Sequence, residues 1–165
     1  KDDRGYFMET FRQDLFEQML GYKVNFVQDN ESYSAKGVLR GLHYQVPPYA
    51  QAKLVRVITG SVLDVALDIR RASPTFGQHT IVKLSAENKH QLYIPHGFAH
   101  GYVVLSESAT FSYKVDNYYA PGFDRGIAFN DPELKIDWQF PIGSLEVSEK
   151  DKVYPFLSSA IDIFK

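Results

Sequence analysis

Lys53-Leu54-Val55-Arg56-Val57-Ile58, then Thr59-Gly60-Ser61, then Val62-Leu63-Asp64-Val65-Ala66-Leu67-Asp68-Ile69 is the stretch that decides the fold. Two runs rich in β-branched residues flank a tight turn. In the second, Leu63, Val65, Leu67 and Ile69 alternate with Val62, Asp64, Ala66 and Asp68, the period of two that marks a strand. Asp64 and Asp68 share one face. Ionisable residues inside a strand either meet solvent or line the polar interior of a barrel that encloses one ligand; the pattern alone leaves both open.

Outward from this stretch the same rhythm continues. Thr80 to Leu84, Gln91 to Ile94, Gly101 to Leu105 and Thr110 to Val115 read as strands, as does Val24 to Val27 upstream. Turn clusters at Ser73-Pro74, Pro95-His96-Gly97, Pro121-Gly122 and Asn130-Asp131-Pro132 separate them, and Asn30 to Ser34 reads as a polar segment before the turn Ala35-Lys36-Gly37. Many short strands at this spacing predict an antiparallel sandwich or barrel. One helix is predicted near Thr10 to Leu20: Thr10 and Gln13 form a capping-box pattern, Leu15, Phe16, Met19 and Leu20 recur at helical spacing, and Gly21 stops it. A second short helix is predicted near Pro155 to Phe164.

Composition excludes several classes. Eighteen Lys+Arg against twenty Asp+Glu offer no basic excess for nucleic acid or an anionic membrane surface. No apolar run approaches the ~20 residues that cross a bilayer. With no cysteine, disulfides, zinc-thiolate sites and thiol catalysis are excluded, and a cytoplasmic location is expected. No linker or internal repeat interrupts the chain, so residues 1–165 are expected to form one domain.

Two segments carry chemistry. Arg40-Gly41-Leu42-His43-Tyr44-Gln45, followed by Gln51-Ala52-Lys53-Leu54-Val55, gathers an Arg, a His and a Lys. Pro95-His96-Gly97-Phe98-Ala99-His100-Gly101 adds two histidines between glycines. These are a base suited to neutral pH, cations able to hold phosphate or an enolate, and glycines that permit close approach.

With Asp3-Arg4-Gly5-Tyr6-Phe7-Met8-Glu9, Phe26-Val27-Gln28-Asp29-Asn30, Ser73-Pro74-Thr75-Phe76-Gly77, Tyr113 to Tyr119 and Ser148-Glu149-Lys150-Asp151, these blocks span nearly the whole chain. In this order they resemble the dTDP-4-dehydrorhamnose 3,5-epimerases, cupin-type sugar-nucleotide epimerases. The resemblance implies a mainly β, cupin-type jelly-roll barrel with one or two short helices, lacking a short N-terminal strand that the family carries. It implies a homodimer that inverts C3 and C5 of a dTDP-4-keto-6-deoxysugar without a cofactor. His43 would be the base, Tyr113 the acid on the opposite face, and Lys53 and Arg40 the cations at the ketone and diphosphate. His100 would line the sugar pocket. Arg4, Glu9, Gln28 and Asn30 would bind nucleotide, the first two from a partner subunit, and Tyr119 would stack on thymine. Asp151, with Asp64, would support the histidines, the pairing left open. Asp124 stands where the family tends to have Glu.

A C3-only epimerase or isomerase would use nearly the same residues. A non-catalytic sugar-nucleotide-binding cupin would need no acid and base together. Metal cupins place His-x-His and then Glu; here Tyr44 and Gln45 follow His43 and the next Glu is Glu87, a poor ligand set.

Overall fold

The computed structural model describes residues 2–165. In chain order come α1 (Gln13–Leu20), β1 (Gln28–Ala35), β2 (Val38–Gln45), β3 (Lys53–Thr59), β4 (Ser61–Asp68), β5 (His79–Ser85), β6 (Gln91–Ile94), β7 (Phe98–Val104), β8 (Ser108–Val115), β9 (Asp124–Gly126), β10 (Glu146–Val147) and α2 (Glu149–Lys152). One sheet has the order β1-β8-β3-β6, the other β10-β2-β7-β4-β5 with β9 also on β2. Pairing is antiparallel except between β10 and β2. These are the two facing sheets of a cupin-type jelly roll. Among the described residues they do not close into a single hydrogen-bonded ring, so the predicted barrel is a sandwich of two curved sheets.

The turn at Gly60 is where the chain passes from one sheet to the other: β3 belongs to the first and β4 to the second. Gly60 has φ +77°, and a Cβ there would collide with the Ser108 carbonyl and the Ser106 hydroxyl. Only glycine fits that corner.

β4 is buried on both faces, which explains its apolar density. Leu63, Val65, Leu67 and Ile69 pack with Ile127, Phe129, Leu134, Trp138 and Leu157 of the C-terminal segment. Val62 and Ala66 pack instead with Val55, Val57, Tyr102 and Phe111 between the sheets. Asp64 and Asp68 share that inner face at 0% and 1% exposure, so the interior reading of these two acids holds. Asp68 is neutralised locally by Arg70, Ser73 and Thr75, which donate to it at 2.6–2.9 Å.

Four local expectations are corrected. Helix α1 begins at Gln13 behind an uncapped Arg12, although Gly21 does end it in the left-handed conformation. The capping box fails because Arg12, not Thr10, sits at the N-cap and the Gln13 amide is taken by Glu17 and the Val24 carbonyl. Val24 to Val27 is no strand: Val24 and Phe26 pack beneath α1 against Phe16. The polar segment Asn30 to Ser34 is itself part of edge strand β1, polar because Ser32 bonds the Tyr102 hydroxyl at 2.8 Å and Ser34 bonds Arg40. Near Pro155 only a single 3₁₀ turn, Leu157–Ser159, forms; the helix is α2, capped by the Ser148 hydroxyl. No helix among the described residues is long and apolar enough to cross a membrane.

Candidate active site

β2 and β7 lie side by side with a register shift between Arg40 and His43, which leaves His43 directly opposite His100. The close approach of the strands depends on two glycines. A Cβ on Gly41 would strike the Gly101 backbone, and one on Gly101 would sit 2.8 Å from the Arg40 carbonyl.

Each histidine has its own aspartate. His43 Nε2 lies 2.7 Å from Asp151 Oδ1. Asp151 is buried, and its other oxygen accepts the Gly41 N–H at 3.2 Å. Burial works against its charge, but the bonds from His43, Gly41 and the Ser148 cap hold its carboxyl below the usual range. An ionised Asp151 accepts from His43 Nε2–H, which leaves the lone pair on Nδ1. His100 Nε2 lies 3.0 Å from both oxygens of fully buried Asp64. Burial lowers the His100 pKa, with nearby Lys53 and His43 acting in the same direction.

Lys53 opens β3 at 8% exposure, and its ammonium donates to the His43 carbonyl at 3.4 Å. Burial brings its pKa down to about 8, against the pull of Asp124 and Asp64. It is still mostly charged at pH 7. Tyr113, on β8, pairs in register with Asn30 on one side and Val55 on the other. Burial raises its pKa, so its phenol keeps its proton and can donate it. The Arg40 guanidinium is fixed by Ser34 Oγ at 3.1 Å and lies within electrostatic reach of Tyr113.

One wall is built by bonds among the other expected residues. Gln28 donates to Asn30 at 2.9 Å and accepts the Tyr119 N–H at 3.2 Å; the Tyr119 hydroxyl donates to Asp124 at 3.3 Å. Asp124 is also held by Lys150, which neighbours Asp151 on α2. A cavity of about 400 Å³ runs past Arg40, His43, Lys150 and Asp151. Sequence reading passed over Lys150, although it lies within the quoted block beside Asp151. It also passed over Tyr154, whose ring meets His43 edge-on at 5.8 Å and which no local pattern singles out.

The structure thus brings together His43, Lys53, His100, Tyr113, Arg40, Asp124, Asp151, Gln28, Asn30 and Tyr119. It does not bring Arg4 and Glu9 to them. Both lie exposed on the N-terminal arm, with Arg4 paired to Asp2 at 2.6 Å. Among the described residues no three His, Asp or Glu side chains are arranged to hold a metal ion.

Two aspartate-backed histidines, a buried lysine and a tyrosine that keeps its proton are equipment for proton transfer: candidate bases, a cation and an acid. Residues 1–159 match the family model described as dTDP-4-dehydrorhamnose 3,5-epimerase. The chain belongs to that family and is an isomerase of its type. A dTDP-4-dehydrorhamnose 3,5-epimerase of Pseudomonas aeruginosa is 59% identical over 151 residues, 92% of this chain and 82% of its relative. The Legionella pneumophila dTDP-6-deoxy-D-glucose-3,5-epimerase, solved in complex with dTDP-4-keto-L-rhamnose, superposes with a TM-score of 0.93 at 50% identity, covering 98% of this chain and 85% of that one. ChmJ, a 3'-monoepimerase from Streptomyces bikiniensis in complex with dTDP-quinovose, matches with a TM-score of 0.87 at 35% identity over 96% and 79% of the two chains.

Proposed function

We propose that residues 1–165 form one catalytic domain that converts dTDP-4-dehydro-6-deoxy-D-glucose to dTDP-4-dehydro-L-rhamnose by inversion at C3 and C5. The hydrogens on both carbons are α to the C4 ketone, so removal of either gives an enolate with its charge on the C4 oxygen. His43 takes the proton through Nδ1, the imidazolium being stabilised by Asp151. Lys53 holds the developing oxyanion where the buried ammonium acts most strongly. Tyr113 returns a proton on the opposite face. Arg40 meets the diphosphate, His100 lines the sugar pocket, and Gln28, Asn30, Tyr119 and Asp124 hold the nucleoside. The observation that carries this reading is the His43–Asp151 pair beside the buried Lys53.

The same proposal takes the enzyme to be a cytoplasmic homodimer in which Arg4 and Glu9 complete the neighbour's nucleotide site. The exposed arm supports it: Phe7 is 96% and Tyr6 62% exposed, an apolar surface suited to a second copy of the chain.

Incubation with the 4-keto sugar nucleotide in D₂O, read by mass and proton NMR, tests the reaction. Deuterium at C3 and C5 with L-configured product is expected. Label at C3 alone makes the chain a 3-epimerase, and no label removes the enolate mechanism.

A further inference from the structure

Gln45 ends β2 two positions beyond His43, at 3% exposure. A buried carboxamide is tolerated where its polar atoms find partners, and here they do. Its Nε2 donates to the carbonyls of Tyr49 at 2.7 Å and Tyr118 at 3.1 Å, and its Oε1 accepts the Ala120 N–H at 2.7 Å. The last two bonds bracket Tyr119. The loop following β2 and the loop following β8 are further laced by Gln51 to the Asn117 carbonyl and by Asn117 to the Pro48 carbonyl, at 2.8 and 3.1 Å.

We propose that Gln45 is a positioning residue for nucleotide recognition, fixing the Tyr119 loop to the strand that carries His43. Two residues of strand span about 7 Å of rigid backbone. One strand therefore sets the separation between the aromatic ring offered to the nucleobase and the base that takes the sugar proton. This rests on the reading of Tyr119 as the ring that stacks on thymine. The Gln45 carboxamide bonds backbone groups, those of Tyr49, Tyr118 and Ala120.

The test uses Gln45→Leu, which removes all three bonds at similar size, and Gln45→Glu, which keeps the acceptor for Ala120 and loses both donors. Losing two or three buried hydrogen bonds is expected to raise KM for the sugar nucleotide and Kd for dTDP about tenfold or more. Saturated kcat is expected to stay within about twofold, because the acid-base groups are untouched. A merely structural role would lower kcat and Tm together and leave KM and Kd alone, and that result overturns the proposal. Tyr119→Ala is then combined with each variant. If Gln45 acts through Tyr119, the double variant binds dTDP no more weakly than Tyr119→Ala; additive losses overturn it. Should Tyr119→Ala itself leave dTDP affinity unchanged, the stacking reading fails and the proposal with it. Should Tyr119→Ala weaken dTDP while both Gln45 variants bind normally, the proposal alone falls.

Discussion

His43 and His100 face each other across neighbouring strands, yet each turns Nε2 to a different aspartate, Asp151 on α2 and Asp64 on β4. Two identical side chains thereby receive unlike surroundings. His43 remains partly exposed toward the cavity, at 31%, whereas His100 keeps only 6% exposure. A base needs access to its substrate, which supports the proposal that His43, rather than His100, takes the proton.

Removing the partner of that base tests the assignment. Asp151→Ala is expected to lower kcat by about 10²-fold or more, within the range general-base catalysis contributes. Asp151→Asn should be similarly slow, since an amide neither stabilises imidazolium nor fixes the Nε2–H tautomer. Steady-state rates at saturating substrate check this, with dTDP affinity expected to be largely retained.

Lys53 should govern the alkaline side of the pH profile. Its pKa of about 8 means that the ammonium, and with it kcat/KM, is lost as pH rises through 8. Tyr113 does not confuse the result, because its pKa moves up from its ordinary alkaline value. In Lys53→Arg the alkaline limb moves to higher pH. In Lys53→Met the rate falls by about 10²-fold or more and the limb disappears.

Stability should depend on pH through histidines of opposite sign, His79 and His100 with lowered pKa and His96 with a raised one. His100 has a lowered folded pKa, so below about 6.5 the unfolded chain binds a proton the native chain refuses, and stability falls on acidification. His96 has a raised folded pKa, caused chiefly by its bond to Asp116 at 2.9 Å. Its contribution is complete below about 6.5 and is lost as pH rises through the folded value. Denaturant titrations across pH 5–8 should show the acid-side slope flattened in His100→Asn and the slope above 6.5 flattened in His96→Asn.

Gly101→Ala places a methyl group 2.8 Å from the Arg40 carbonyl and 3.0 Å from Gly41 Cα. Both are backbone atoms of a paired strand and cannot swing aside. A destabilisation of about 1–3 kcal/mol is expected. Because the strain prises β2 from β7, kcat should fall as well, even at temperatures where the variant is fully folded by circular dichroism.

Subunit mixing tests the reach of the N-terminal arm. Arg4→Ala and His43→Asn homodimers should each be impaired. If Arg4 serves the neighbour's site, a hybrid has one site with both lesions and one with neither, so mixing and subunit exchange restores activity. No recovery, or a monomeric mass of 18.8 kDa by light scattering at full activity, refutes that arrangement.

The alternation from Val62 to Ile69 determined by itself that this chain builds sheets, because a period of two has only one backbone solution. The ordered blocks around His43, Lys53, His100 and Tyr113 made the family legible as a resemblance, which the family model over residues 1–159 bears out. Local sequence could not say that Gly60 moves the chain between sheets, because a turn of the same composition also closes a hairpin. Nor could it tell that Asn30 to Ser34 is a strand, as its polar side chains answer to Tyr102, 70 residues away, and to Arg40 on the strand that follows. The pairing of acids with histidines was likewise decided only in three dimensions. Asp64 reaches His100 because β4 and β7 are neighbours; Asp151 reaches His43 across 108 residues because the C-terminal segment folds back over β2. Hydrogen bonds are formed by proximity, and proximity between distant segments is a property of packing.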